Sequence, residues 1–340
     1  MDRQETPHPE PTFLDWACRR HPETPRKRIK EWIADGRFRL DGEVVTQSGL
    51  RMSDPGLRLE MGAADAGVAA WAHRKRIHPK LTVLHLDASL AVVEKQAGLL
   101  SVPVEGLNQP SAQSILLNHL NDARADGLRR RLFGQAKAIP MPVHRLDQYT
   151  SGLLCFAMNP EARALLIEQV RSRSLLREYI AFADGELPEP SGVWKHFLKL
   201  DPTGYHQRLA ASGDLEGTEA VTRFETVEVF ARHHVSKLRI RLETGLKHQI
   251  RIQSAAAGVP LLGDRLYHQT TRRVLEKGGK APFGMERQAL HAAVLGVRHP
   301  EDGRELCFES HLPPDLQRLE ERLRGGKGSP PRKRAQRSAG

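Results

Sequence analysis

Nine consecutive residues, 144–152, hold the side chains of this sequence best suited to chemistry. They read His-Arg-Leu-Asp-Gln-Tyr-Thr-Ser-Gly, and the apolar run 153–157 follows them. This pattern predicts a turn that leads into a strand, with the Asp147 carboxylate beside Arg145 at the mouth of that strand. A carboxylate so placed can offer an oxygen nucleophile, or an electrostatic stabiliser, to an electron-poor carbon.

Two simpler interpretations of this motif have to be weighed. Asp147 could merely accept hydrogen bonds from the turn at residues 150–152. His144 and Asp147 together would also fit a hydrolase, but no Gly-x-Ser-x-Gly elbow accompanies them. A glycoside or nucleoside hydrolase would in addition need a second carboxylate in a defined relation to Asp147.

The elements that must position the motif are many short strands with a few helices between them. This mixture predicts an α+β domain with a mainly antiparallel, mixed sheet rather than a βαβ repeat. Strands are predicted at 83–86, 90–95, 177–183 and 235–242. Helices are predicted at 111–120, from Pro160 onwards with Asn159 as the cap, and at about 248–257.

Composition narrows the class of protein. The 340 residues are 39% hydrophobic and 27% charged, as in globular proteins. No run approaches the roughly 18 apolar residues of a membrane helix, and the N-terminus lacks an apolar secretion segment, so we expect a cytoplasmic protein. Cys18, Cys155 and Cys307 fit no Cys-x-x-Cys zinc pattern. Walker and Gly-x-Gly-x-x-Gly motifs are also absent, so the sequence gives no sign of a metal site or of a nucleotide cofactor.

Residues 13–61 predict a compact α/β unit. The spacing of Ile29, Trp32 and Ile33 gives a helix with one apolar face, and Asp41-Gly42 is a strong hairpin signal. This stretch resembles the small RNA-binding module first seen in ribosomal protein S-four.

The net charge of +11 favours a polyanionic partner, nucleic acid first. Arg26, Lys27 and Lys30 lie on the polar surface of the predicted helix, where a solvated face is the simpler interpretation. Clustered cations repel one another unless an anion is near, so we predict that these three side chains bind RNA.

Four stretches, in this order along the chain, resemble the RluA-type pseudouridine synthases. They are residues 90–103, 144–152, 177–185 and 244–251, and the similarity runs from about 81 to 312. The resemblance implies a uridine-to-pseudouridine isomerase that acts on RNA without a cofactor. The base is detached from its ribose, turned, and rejoined through carbon 5.

The resemblance also implies roles for individual residues. Asp147 is the catalytic carboxylate, which either attacks the sugar or the base or only stabilises charge. Arg251 pairs with it and holds it ionised. Tyr179 lies against the uracil and helps to remove the carbon-5 proton. Arg145 opens the RNA and fills the space of the extruded base, since an enzyme that works on a base must take it out of the stack.

His144 and His248 are expected to be hydrogen-bonding residues near the RNA rather than acid–base groups. Four positions near the motifs depart from the family pattern: Gln96, Arg177, Leu246 and His268. These departures bear on which RNA is bound more than on the reaction.

Ribosomal RNA is the expected substrate and transfer RNA the alternative. An RNA-binding protein of the same fold without catalysis is a second hypothesis, and a monomer is the default. The expected division of the chain is a flexible arm at 1–12, an RNA-binding module at 13–62, a basic linker at 63–80, the catalytic domain at 81–324 and a disordered basic tail at 325–340.

Overall fold

A computed structural model describes most of the chain. The described residues are 11–34, 38–40, 43–45, 48–50, 59–61, 74–122, 126–134, 137–201, 207–211 and 214–325. Nearly all of the predicted arm and tail, the first part of the predicted linker and the Asp41-Gly42 turn lie outside these residues.

The N-terminal unit contains two helices and a three-stranded antiparallel sheet. Its elements are α1 (Phe13–Arg20), α2 (Arg26–Ala34), β1 (Phe38–Leu40), β2 (Glu43–Val45) and β3 (Leu59–Met61), in the sheet order β2-β1-β3. Thr12 and Asp15 form a reciprocal capping box at the start of α1. Phe13, Ile29 and Phe38 are fully buried in the small core of this unit.

A 12-stranded sheet forms the remainder of the described fold. Its strands are β4 (Lys75–His78), β5 (Leu81–Leu86), β6 (Leu90–Lys95), β7 (Met141–Pro142), β8 (Ser151–Ala157), β9 (Leu176–Asp184), β10 (Ser191–Leu200), β11 (Gln207–Leu209), β12 (Thr218–Phe230), β13 (Val235–Leu242), β14 (Leu290–Arg298) and β15 (Glu305–Glu309). The order is β11-β10-β12-β13-β9-β14-β8-β6-β5-β4, with β15 on β14 and β7 on β8.

Helices flank this sheet. They are α3 (Ala112–Asn121), α4 (Asp126–Phe133), α5 (Pro160–Arg171), α6 (Gln249–Ala256), α7 (Gln269–Glu276) and α8 (Pro314–Leu323). Among the described strand pairs, only β8 and β14 run parallel. The predicted α+β fold with a mixed, mainly antiparallel sheet is thereby confirmed. Among the described residues, no helix is both long and apolar enough to cross a membrane.

Strand β8 shows why the run after the motif is apolar at every position. All seven of its residues are buried. Leu153 and Cys155 pack on the side of α5, whereas Leu154 and Phe156 pack with α3 on the other side. A strand covered on both faces reads as a continuous apolar run, because successive side chains point to opposite faces.

A histidine–aspartate network joins the β5–β6 turn to the end of β14. Asp87 Oδ1 accepts hydrogen bonds from the N–H groups of Ser89 and Leu90, at 2.8 and 2.7 Å. Asp87 Oδ2 lies 2.6 Å from His85 Nε2 and 2.9 Å from His299 Nε2. Burial alone would raise the pKa of Asp87, but the two imidazoles hold it well below 3.8. The hydrogen bond to Asp87 raises the pKa of His299 above 6.5.

We expect Asp87→Asn to lower the free energy of unfolding by about 2–3 kcal/mol near pH 6, because His299 loses its charged partner. A histidine whose folded pKa is raised stabilises the fold below its unfolded pKa and loses that contribution as pH rises through the folded value. Urea unfolding should therefore show a smaller difference between wild type and variant at pH 8.5 than at pH 6. A difference that is equal at both pH values would contradict the charged pairing. Asp302→Asn, at the exposed side of His299, is the matched control and should cost less.

Candidate active site

The predicted catalytic motif forms the loop between β7 and β8. Its turn is closed by main-chain atoms, since the N–H of Thr150 donates to the carbonyl of Asp147 at 3.0 Å. Ser101 fixes the loop at Leu146, donating to its carbonyl and accepting from its N–H at 2.7 and 2.9 Å. The Asp147 carboxylate is therefore not consumed by the turn, which argues against the simplest structural interpretation of this residue.

Lys95 supports the loop from below. Its buried ammonium group donates to the carbonyls of Leu99 at 2.9 Å, Gln148 at 3.1 Å and Gln96 at 3.3 Å. Burial lowers the pKa of Lys95 to about 7. These bonds fix the main chain one residue beyond Asp147.

Arg287 holds the same loop from the other side. Its Nη1 donates to the carbonyl of Tyr149 at 3.1 Å, and its Nε and Nη2 bind the two oxygens of Asp315 at 2.7 and 3.1 Å. The loop is thus attached to two buried cations that sequence reasoning did not assign to the site.

Asp147, Arg251 and Asp264 form a chain of charged groups. Arg251 Nη1 donates to Asp147 Oδ2 at 3.0 Å. The Nε and Nη2 of Arg251 bind both oxygens of Asp264, at 2.7 and 3.0 Å. The Asp264 side chain is completely buried, whereas 22% of the Asp147 side chain is exposed. Arg251 is thereby fixed by Asp264, and its Nη1 remains to donate to Asp147.

The pKa shifts of the inner pair agree with this geometry. Burial by itself would lower the pKa of Arg251 and raise that of Asp264. Their mutual hydrogen bonds and charges reverse both effects, so the pKa of Arg251 is raised and that of Asp264 is lowered. Arg251 stays a cation beside Asp147 at every physiological pH.

Tyr179 enters the same cavity from β9. It is buried, and burial raises its pKa to about 12, with Arg177 opposing the shift and Asp147 adding to it. The hydroxyl therefore carries its proton at neutral pH.

The two predicted histidines are both neutral near pH 7. Burial lowers the pKa of His144 to about 3, and its Nε2 accepts the N–H of Cys155 at 3.3 Å. Burial lowers the pKa of His248 to about 4. His248 Nε2 lies 3.9 Å from Asp147 Oδ1, and its Nδ1 is 3.1 Å from the hydroxyl of Tyr267. His144 is thus hydrogen-bonded to the strand after the motif, whereas His248 lies near the carboxylate of Asp147.

The predicted RNA-binding cations fall into two groups. Arg145 is exposed and lines the cavity, so it does not pair with its sequence neighbour Asp147. Arg26, Lys27 and Lys30 belong to α2 and do not line the cavity. Arg26 forms an ion pair with Asp15 at 2.8 Å, whereas Lys27 and Lys30 are exposed.

A single open cleft of about 1190 Å³ brings Asp147, Tyr179, Arg251, His144, His248 and Arg145 together. This volume exceeds the range usual for small-molecule sites, so the cleft has room for a nucleotide and its neighbours. The cluster with metal-ligand chemistry among the described residues, His85, Asp87 and His299, lies outside the cleft. We assign this cluster no part in the chemistry of the cleft.

Comparison with known proteins identifies the class to which this fold and cleft belong. A family model described as RNA pseudouridylate synthase matches residues 89–256. A solved structure, Human RNA Pseudouridylate Synthase Domain Containing 4, has the same fold with a TM-score of 0.53 at 22% identity, covering 71% of this chain and 92% of that one.

Several bacterial proteins named Ribosomal large subunit pseudouridine synthase D are similar over nearly the whole chain. The one from Vibrio parahaemolyticus is 31% identical and covers 88% of this chain and 86% of its own length. The one from Pseudomonas aeruginosa is 31% identical with 88% of each chain covered, and that from Escherichia coli is 32% identical with 89% and 87% covered. The chain therefore belongs to the RNA pseudouridylate synthase family and is an isomerase.

Proposed function

We propose that this enzyme converts uridine in ribosomal RNA to pseudouridine with Asp147 as the catalytic carboxylate. One observation carries the proposal: the 22%-exposed Asp147 side chain projects into the cleft and is held by the buried, permanently charged Arg251. A fixed carboxylate that needs no reorganisation is suited to stabilise or trap a developing positive centre.

The two oxygens of Asp147 have different surroundings. Oδ2 accepts the hydrogen bond from Arg251, whereas Oδ1 has, among the described residues, only the 3.9 Å approach of His248 Nε2. Oδ1 is therefore the oxygen that meets the anomeric carbon of the flipped nucleotide. The glycosidic carbon–nitrogen bond breaks, a bond from the same sugar carbon to carbon 5 forms, and the carbon-5 proton leaves while N1 gains one. The balance involves no electron transfer and no net hydrolysis.

Tyr179 supplies the surface for the uracil ring. Its ring is buried in the wall of the cleft, and its neutral hydroxyl can hydrogen-bond a uracil carbonyl. To accept the carbon-5 proton the hydroxyl must first lose its own, so this role requires deprotonation during the reaction.

Ribosomal RNA is the favoured substrate because the similar bacterial proteins carry that substrate in their names. Mapping pseudouridines in cells with and without this chain tests the proposal. Loss of a ribosomal RNA site supports it, loss of a transfer RNA site moves the substrate to the alternative class, and no loss anywhere supports an RNA-binding protein without catalysis. We place the enzyme in the cytoplasm as a monomer.

We further propose that residues 13–62 form an RNA-binding module like that of ribosomal protein S-four. Two capped or amphipathic helices beside a small antiparallel sheet, with exposed Lys27 and Lys30 on α2, support this function. The arm, linker, catalytic domain and tail keep the boundaries given from the sequence.

The double variant Lys27→Gln/Lys30→Gln should bind RNA more weakly, and its plot of log K against log salt should be shallower by about 1.5, because each phosphate contact contributes about 0.7–0.9 to the slope. Arg26→Gln is the matched control: its guanidinium pairs with Asp15, so we expect a smaller change. Filter binding or fluorescence anisotropy at salt concentrations between about 50 and 300 mM measures the slopes of both variants. An unchanged slope in the double variant would reject this role for α2.

A further inference from the structure

Arg177 is a buried cation of the cleft to which the proposed reaction gives no role. It lies on β9 two residues before Tyr179, so both side chains point to the same face of the sheet. Its residue exposure is 5%, and its Nε and Nη2 are buried without a hydrogen-bond partner among the described residues. A buried charge without a partner destabilises a fold, so this protein keeps Arg177 at a substantial cost.

The two other buried arginines of the cleft show what the edge formed by Nε and Nη2 of a guanidinium binds. Arg251 uses its Nε and Nη2 to bind both oxygens of Asp264, and Arg287 uses the same two nitrogens to bind both oxygens of Asp315. In Arg177 the same pair of nitrogens has no partner in the part of the chain that the structure describes. This edge matches two oxygens of one carboxylate or phosphate.

The surroundings of Arg177 do not neutralise it. Burial lowers its pKa, and Tyr179, which acts in the opposite direction, is itself neutral near pH 7. The adjacent His144 is neutral as well. Gly245 is exposed and covers the guanidinium, and a Cβ there would lie 2.7 Å from Arg177 Nη1. Arg177 and Gly245 both line the cleft, and any side chain at position 245 would crowd the guanidinium.

We infer that the Arg177 guanidinium binds a phosphodiester group next to the target uridine, and so positions that uridine against Asp147 and Tyr179. The inference rests on the proposed function. RNA offers paired anionic oxygens only in its phosphates. The two carbonyl oxygens of uracil are separated by an N–H donor, so one guanidinium edge cannot bind both.

A chemical double-mutant cycle tests this contact. The substrate is a synthetic RNA hairpin that carries the mapped uridine, with single methylphosphonate linkages placed in turn around it to remove one charged oxygen each. Binding is measured in an Asp147→Asn background and turnover in the active enzyme. Arg177→Gln should raise Kd and KM about tenfold or more, the effect of one charge-assisted bidentate contact. At one linkage the methylphosphonate should weaken RNA binding by the protein with the wild-type residue by a similar factor. The same methylphosphonate should leave the Kd of Arg177→Gln unchanged.

Two further variants separate the contact from general effects. Arg177→Lys keeps the positive charge but loses the paired N–H donors of the guanidinium. Its Kd and KM should therefore lie between those of wild type and Arg177→Gln. Arg163→Gln removes an exposed cation of the same cleft and should weaken binding without suppressing any single linkage effect. Should Arg177→Gln unfold, a single hypersensitive linkage in wild type that Arg177→Lys reduces is the supporting result.

Three outcomes would overturn the inference. They are unchanged Kd and KM in Arg177→Gln, additive losses at every linkage, and a shift confined to the pH profile of kcat, which would mean that Arg177 acts through Tyr179. Failure of the proposed function is distinguishable, because a wild-type protein that forms no pseudouridine still reports the linkage effect through its Kd.

Discussion

An Asp147→Asn enzyme should fold and should bind RNA with an affinity within about threefold of wild type. Its rate of pseudouridine formation should be at least about 10⁴-fold lower than that of wild type. The amide has the same shape, and its carbonyl can still accept the hydrogen bond from Arg251. It has no anionic oxygen to place at the anomeric carbon. Mass spectrometry of the digested RNA measures the product, and anisotropy measures the binding.

The control for this variant removes another carboxylate from the same cleft. Glu286 is exposed and lines the cleft. Glu286→Gln should retain activity within about threefold, because a pseudouridine synthase needs no second carboxylate, unlike a glycosidase. Product formation by Asp147→Asn at the wild-type rate would reject the catalytic assignment. Free uracil as the main wild-type product would revive the hydrolase alternative.

Arg251→Met should be inactive and should lose about 3–5 kcal/mol of unfolding free energy, because the fully buried Asp264 loses its charged partner and keeps only the N–H groups of Leu266 and Tyr267. The double variant Arg251→Met/Asp264→Asn removes the unpaired charge and should recover at least half of that loss. It should remain inactive, since Asp147 still lacks its cation. Urea unfolding and pseudouridine assays on the two variants separate stability from catalysis.

Two results would count against this account of Arg251. Recovery of activity together with stability in the double variant would show that Arg251 acts only by holding the fold. Equal stability of Arg251→Met and wild type would show that Asp264 does not depend on the pair.

Local structure was predictable wherever the signal lies in adjacent residues. Asn159 caps α5 with Pro160 in its first turn, as predicted, and Asn159 Oδ1 accepts the N–H of Ala162 at 2.7 Å. The alternating strand 235–242 is β13. The parallel pairing of β8 with β14 was not predictable, because it joins segments 140 residues apart and neither segment contains a signal for its partner.

The site was predictable in part for the same reason. The motif itself singled out Asp147, and the resemblance added Tyr179 and Arg251. Asp264 follows Gly263 beyond the fourth similar stretch, and nothing in the sequence showed that it would bind Arg251. Lys95 lies within the first similar stretch and Arg287 outside all four, but the sequence assigned neither to the site, because their importance comes from burial beside loop carbonyls of the completed sheet.

The attachments of the catalytic loop have a consequence for how activity arises during folding. Asp147, Gln148 and Tyr149 are held by residues 104, 53 and 138 positions away in the chain. Contacts of such separation form only when loops of that length have closed, late in the assembly of the sheet. Local contacts such as the Thr150–Asp147 hydrogen bond close the turn but do not place the loop, so we expect a nascent or truncated chain that lacks α6 or β14 to be catalytically silent. The enzyme acquires its activity in one step, together with its tertiary structure.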